Sequence, residues 1–369
     1  MKPLEVIILR SQDIFSDSRV LRYEEWYKKN DITYRIIGWD RRGEQLQREN
    51  TEYYAGIAGF QQGAKGIIGR IKWNYFLLCY LLAHRKEYRV IHACDFDTVM
   101  SALFMKCFGK KVIFDIFDWF SDEVRTGKWC IDKPINLLER ASVKLADLVI
   151  ICEKGRLKQM KVIPEKYLVI PNVSSFTDIP PVVSNNSSYD VDAIKVVYVG
   201  GLVENRGLCE LVDVIPVFPQ IKFIIAGYGS ERISNYIRQA ASQCNNLEFL
   251  GKVNYKTALK IMSQADILYA MYYIENPNHK YAAPNKFYES IFLHKPIVTT
   301  QGTLVGETVA NNHSGFVIGE GKENLKEFFS TLSMEKIKKV ENKMPVYSDF
   351  MKKVYCSLNA YRRFLRQKI

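Results

Sequence analysis

Two cations, one carboxylate and two glycine-bearing turns are the parts of this sequence best suited to chemistry. Lys286 and Glu289 follow Pro284 and Asn285, where a proline-set turn opens a helix predicted over residues 285–293. Their spacing puts both on one helical face near the N-terminus. That end carries partial positive charge and free N–H groups, which suit a phosphate, and Lys286 adds a full charge. One turn on, Glu289 can accept hydrogen bonds from the hydroxyls of a pentose. An isolated Lys/Glu pair is more often a surface couple, so its context decides.

The context begins at Gly200-Gly201-Leu202, predicted as a tight loop between a strand and a helix, with Arg206 close behind. Glycines let backbone N–H groups approach a phosphate, and a guanidinium grips it bidentately. Gly227-Tyr228-Gly229 reads as a second such loop, and Leu250 ends another strand. Each signal alone is weak. Together with Lys286 and Glu289 they place several strand ends of one sheet around a diphosphate and its ribose.

On the other half of the chain, Asp115 and Asp118 end a strand, and Asp118 is the carboxylate placed to orient or deprotonate an incoming hydroxyl. Capping the next segment is as common a role for such a residue. His92 and Asp95 follow a neighbouring strand. Either an acceptor-side role or a core histidine with Asp97 as helix cap fits them. Asp95-x-Asp97 imitates a metal-binding pair, but two residues recur by chance, and Arg206, Lys286 and helix termini already offer positive charge to a diphosphate. No metal is expected. The eight cysteines show no C-x-x-C pair, so buried free thiols in a reducing compartment are expected.

The elements that must position these residues alternate strand and helix along the chain, which implies parallel sheets wrapped by helices. The pattern breaks at a polar, proline-bearing stretch and then restarts. The expectation is an α/β protein of two Rossmann-like doubly wound domains facing a cleft. Residues 1–177 form the acceptor-binding domain, 178–193 a linker and 194–345 the nucleotide-binding domain. A helix over 346–369 is expected to pack back on the first domain. Residues 56–69, rich in glycine, read as a mobile loop before an apolar helix at 71–84. That helix suits either core packing or a membrane surface.

Among 369 residues, 52 Lys and Arg face 40 Asp and Glu, a net +12 that favours anionic partners. Basic residues without an aromatic-interleaved stripe argue against nucleic acid. No run reaches the ~20 apolar residues that span a bilayer, and the N-terminus enters a strand directly. A cytoplasmic chain is expected, either free or peripheral on the inner membrane face.

In order, Val199-Gly200-Gly201-Leu202 with Arg206-Gly207, Ile225-Ala226-Gly227-Tyr228-Gly229, Leu250-Gly251 and Pro284-Asn285-Lys286 with Glu289 and Lys295-Pro296-Ile297-Val298 resemble glycosyltransferase family 4. Asp17-Ser18-Arg19-Val20, Ala146-Asp147-Leu148-Val149-Ile150, Val169-Ile170-Pro171-Asn172 and Val305-Gly306-Glu307 with Ser314-Gly315 extend the likeness over roughly residues 5–330. The resemblance implies a retaining, metal-independent, hexosyltransferase-type enzyme of GT-B architecture. Its donor would be a UDP- or GDP-type nucleotide sugar serving as co-substrate, with no other cofactor. Arg206 and Lys286 would hold the diphosphate and Glu289 the ribose. Gly200, Gly201, Gly227, Tyr228, Leu250 and Asn285 would line the donor site, and Ser18, Arg19, His92 and Asp95 the acceptor side. The acceptor would be a saccharide or polyprenyl-linked saccharide of a surface polysaccharide such as capsule or lipopolysaccharide. The sequence departs from the family at Gly201, usually Arg, at Tyr281, usually the first of two glutamates, and at Phe117, often His. A 2-epimerase-like enzyme on sugar nucleotides and a degenerate, non-catalytic binding partner remain open alternatives.

Overall fold

The computed structural model describes residues 4–15, 17–57, 63–173 and 193–367, with the side chains of 63–67 left aside. The linker expected at 178–193 lies almost wholly outside the described residues. The chain divides into two compact units, residues 1–174 with 352–369 and residues 175–351.

Unit 1 runs β1 (Leu4–Arg10), α1 (Ser18–Lys29), β2 (Tyr34–Asp40), β3 (Thr51–Ala55), α2 (Gly63–Ala83), β4 (Tyr88–Cys94), α3 (Phe96–Phe104), β5 (Lys111–Ile116), α4 (Phe120–Glu123), α5 (Trp129–Leu145), β6 (Leu148–Ile151), α6 (Arg156–Met160) and β7 (Tyr167–Val169). Its sheet has the order β3-β2-β1-β4-β5-β6-β7, every pair parallel. Near-continuous apolar strands such as Val6–Leu9 and Leu148–Ile151 are buried, as expected where helices cover both faces. Asp17 caps α1 by accepting from the Val20 N–H. The expected loop at 56–69 is shorter: α2 begins at Gly63, and residues 58–62 lie outside the described part.

Unit 2 runs β8 (Ile194–Leu202), α7 (Leu208–Val214), β9 (Ile221–Gly229), α8 (Glu231–Gln243), β10 (Leu247–Gly251), α9 (Tyr255–Ser263), β11 (Ile267–Ala270), α10 (Asn285–Leu293), β12 (Ile297–Thr300), α11 (Leu304–Asn311), β13 (Gly315–Ile318), α12 (Lys322–Thr331) and α13 (Met334–Glu341). The order β10-β9-β8-β11-β12-β13 is that of a dinucleotide-binding sheet, again all parallel. Its switch point lies between β8 and β11, where ligands bind beyond the strands' C-terminal ends. The last helix, α14 (Tyr347–Arg366), contributes its residues from 352 onward to unit 1. There Tyr361 is buried and hydrogen-bonds Tyr27 and His92.

Candidate functional site

The two glycine-bearing stretches are strand ends, not loops. β8 continues through Gly200, Gly201 and Leu202, which pair in register with Gly227, Tyr228 and Gly229 of β9. The glycines serve that pairing first: a Cβ on Gly227 would stand 1.8 Å from the Gly200 carbonyl oxygen, and its φ of +154° suits only glycine. Gly201 differs, being exposed, with nothing within 4 Å of its Cβ direction. The expected arginine is therefore absent without any steric reason.

Beyond β8 a short 3₁₀ turn at Glu204–Arg206 brings the Arg206 guanidinium 4.1 Å above the ring of Tyr272, which follows β11. Arg206 Nη1 is buried there without a hydrogen-bond partner, an unmet donor that asks for an acceptor. Lys286, on the first turn of α10, lies at the same sheet edge. Its Nζ is 3.0 Å from where a Cβ on Gly200 would sit and 5.4 Å from the centre of the Tyr198 ring. Burial pushes the Lys286 pKa down, Glu289 opposes that shift, and the charge of Arg206 adds to it. Glu289 is 5% exposed, and its Oε1 accepts a 3.1 Å hydrogen bond from the Tyr255 hydroxyl at the start of α9.

The structure thus brings Arg206, Lys286 and Glu289 to one edge of one sheet, around the N-terminus of a nine-residue helix. Asn285 opens that helix, with Pro284 as its N-cap and no side-chain cap bond. Two cations, one of them with an unmet donor, at the N-terminal end of a helix can hold a diphosphate. Tyr228 and Leu250 are exposed at the ends of β9 and β10, where a base can rest on apolar surface. Tyr272 is a site residue that the sequence reading missed, and an aromatic beside a partly buried arginine leaves little signal in sequence. Tyr281, at the position of the missing glutamate, ends a 3₁₀ turn at Pro277–Tyr281.

The acceptor-side expectations fare differently. Ser18 is half-buried at the start of α1. Arg19 and His92 are 5% and 0% exposed and bind inward to Asp115. Arg19 reaches both Asp115 oxygens, at 2.5 and 3.2 Å, and also the Asn172 carbonyl oxygen of its side chain at 2.6 Å. Tyr23 and His92 approach Asp115 at 2.9 and 3.1 Å. Burial alone would raise the Asp115 pKa, yet the Arg19 charge and the His92 hydrogen bond hold it at about 2. His92, Cys94 and Asp115 offer donor atoms within 4.8 Å of one another. Arg19 already occupies the cation's place at Asp115, so these residues are a core network.

Asp95, not Asp97, stands at the N-cap of α3, with φ of +65° that an aspartate rarely adopts. Its carboxylate pairs with Arg10 and accepts from the Phe117 and Asp118 amides at 2.9 and 3.3 Å. Burial raises it to about 6. Asp95 therefore holds the turn that presents Asp118 and is itself enclosed. Asp97, expected as the cap, instead lies in the first turn of α3 and pairs with Arg41 and Arg70. Asp118 lies beyond β5, its side chain 58% exposed with Arg156 at 3.8 Å, and Trp119 takes the cap of α4. Phe117, where the family often has histidine, is stacked against the Arg10 and Arg19 guanidiniums at 4.2 and 4.7 Å.

Residues 193–333, within unit 2, match the family model described as glycosyl transferases group 1. No curated protein matches the chain. Among solved structures, sucrose-phosphate synthase from Thermosynechococcus elongatus aligns at 14% identity over 96% of this chain and 99% of its own, with a TM-score of 0.67. A trehalose-6-phosphate structure from E. coli bound with UDP-2-fluoro glucose aligns at 12% identity over 99% of each chain, TM-score 0.69. Anabaena HepE in complex with UDP and glucose aligns at 14% identity, covering 96% and 99%, TM-score 0.66. These likenesses establish the fold, two Rossmann-like units of GT-B type.

Proposed function

We propose that the chain is a nucleotide-sugar-dependent glycosyltransferase of the retaining, hexosyl-transferring kind, acting without a metal. The observation that carries this reading is the pair Arg206 and Lys286, with an unmet buried donor, beside Glu289 at one sheet edge. The E. coli and Anabaena neighbours, bound to UDP-2-fluoro glucose and to UDP, support UDP as the carrier.

In this mechanism the diphosphate sits against Arg206, Lys286 and the amides at the start of α10. Glu289 accepts from the ribose hydroxyls. As the sugar–phosphate bond breaks, negative charge grows on the departing diphosphate, and both cations stabilise it more in the transition state than in the ground state. Retention follows the resemblance of the motifs to family 4. Asp118, exposed at the end of β5, takes the role of orienting the acceptor hydroxyl. The acceptor itself, a saccharide or polyprenyl-linked saccharide in surface polysaccharide synthesis, rests on the same resemblance.

A thermal-shift panel with UDP, GDP and ADP tests the donor site. One diphosphate is expected to raise the melting temperature of the wild type, since a ligand at about 100 times its Kd adds about 2.7 kcal/mol. Arg206→Ala is expected to lose the shift. No shift with any of the three, or a shift that survives in Arg206→Ala, overturns the reading. Incubating the responding UDP- or GDP-sugar alone then separates the rivals: an epimerised sugar without acceptor indicates an epimerase.

A further inference from the structure

The three helices α2, α3 and α5 are neighbours in unit 1, and their inner sides fill the core with Trp73, Leu77, Val99 and Val143. Their outer sides are the unusual part. A helix lying on a sheet ordinarily turns charged residues to water. Here α2 exposes Ile68, Ile71 and Tyr75 at 55, 63 and 71%. The face of α3 and the 3₁₀ turn that follows it exposes Met100, Phe104 and Phe108, one helical turn apart. On α5, Trp129, Leu137, Leu138 and Leu145 are exposed at 72, 55, 47 and 57%. Scattered apolar side chains are normal on a surface, but a row on each of three adjacent helices marks an interaction face.

The charges on these helices choose the partner. α2 contains no Asp or Glu at all. Asp97 of α3 is buried against Arg41 and Arg70, and Glu139 of α5 is buried on the Phe120 and Ser121 amides. Asp132 of α5 is turned onto the Thr126 and Gly127 amides. Asp132 thus stays at the surface near Lys133, and among the described residues the fully exposed charged groups of these helices are lysines, Lys72 on α2 with Lys133 and Lys144 on α5. Lys133 lies 4.7 Å over the Trp129 ring. A second copy docking through this face would set lysines against lysines. An anionic lipid surface instead takes the apolar side chains into its acyl boundary and the lysines among its headgroups, with Trp129 and Tyr75 at the interfacial level.

We propose that the outer face of α2, α3 and α5 docks the protein on an anionic bilayer surface. Among the described residues no helix is long and apolar enough to cross a membrane, so the association is peripheral. The inference does not depend on the transfer reading, because it uses neither Arg206 nor Lys286.

Flotation of the full chain with lipid vesicles tests it. Wild type is expected to float with phosphatidylcholine vesicles containing phosphatidylglycerol and to bind pure phosphatidylcholine far less. Phe104→Glu with Leu138→Glu is expected to weaken partitioning by at least roughly tenfold, and Lys72→Glu with Lys144→Glu by a similar factor. Ile71→Gln with Tyr75→Gln, at more exposed positions, guards against a variant that does not fold. Each variant is required to keep the wild-type melting temperature and nucleotide response. Three results would overturn the proposal. The wild type could fail to float with anionic vesicles, or folded variants could float as it does. Sedimentation could also show a dimer that these substitutions dissolve, which would assign the face to a second copy.

Discussion

Arg206 and Lys286 repel one another at an edge that Glu289 neutralises only in part, and this has a measurable consequence. The lysine's pKa lies below its usual value, by burial first and by the Arg206 charge besides. A bound diphosphate brings negative charge to Nζ and must raise that pKa. Between the free and bound values the complex therefore holds more protons than the free protein, and binding takes protons up. Affinity is expected to be full below the free-state pKa and to fall as pH rises through it. Calorimetry of UDP binding in two buffers of different ionisation enthalpy measures the uptake, and Lys286→Met is expected to abolish it. Arg206→Lys tests the other cation. A lysine keeps the charge but not the planar fork, so UDP binding is expected to weaken by about 1.5–3 kcal/mol, roughly tenfold or more. An unchanged Kd would mean that the guanidinium does not touch the diphosphate.

The pairing of β8 with β9 shows why part of the site was legible in sequence and part was not. The bounds of α10, α8 and β12 follow directly from a proline-set start, apolar periodicity and the stop at His294-Lys295-Pro296. Glycines carry no such direction. Gly200-Gly201 and Gly227-Tyr228-Gly229 read as phosphate loops, yet they continue the paired strands, and at Gly227 and Gly229 backbone of the partner strand fills the space a side chain would need. Proline misleads in a related way: Pro134 has the look of a helix start, but α5 opens at Trp129 and carries the proline inside it. β3 leaves little sequence signal, because its half-exposed residues form no apolar run. Two substitutions separate the roles of the glycines. Gly227→Ala drives a Cβ into the Gly200 carbonyl and is expected to cost roughly 2–4 kcal/mol, read as a lower denaturant midpoint. Gly201→Arg meets open space and is expected to fall within about 0.5 kcal/mol of wild type while tightening UDP binding. A destabilised Gly201→Arg protein would show that the edge is closed to the side chain the family usually places there.

At the scale of the whole molecule the two units keep their charges for different purposes, and a sequence does not say which. Both halves offered basic and acidic residues at strand ends. Only packing divides them into a sheet edge with an unmet donor in unit 2 and a saturated core around Asp115 in unit 1. Arg19 and His92 resembled ligand-binding residues because the motif that carries them is the same whether the guanidinium meets a substrate or a buried carboxylate. The difference predicts two separable effects on unfolding. Arg19→Ala leaves the Asp115 carboxylate buried without its cation and is expected to destabilise unit 1 by about 3–5 kcal/mol. Because the Asp115 pKa is held down at about 2, the stability it contributes is present above the unfolded carboxylate value near 4 and is lost as pH falls through about 2. The Arg19→Ala penalty is therefore expected to shrink across that acid window. UDP, bound only to unit 2, is expected to raise the unit 2 transition in the variant as much as in wild type. Scanning calorimetry of both proteins, with and without UDP and from neutral pH downward, reads all of this at once. If Arg19→Ala also removed the UDP shift, or cost nothing at neutral pH, the division into a structural unit 1 network and a binding edge in unit 2 would be wrong.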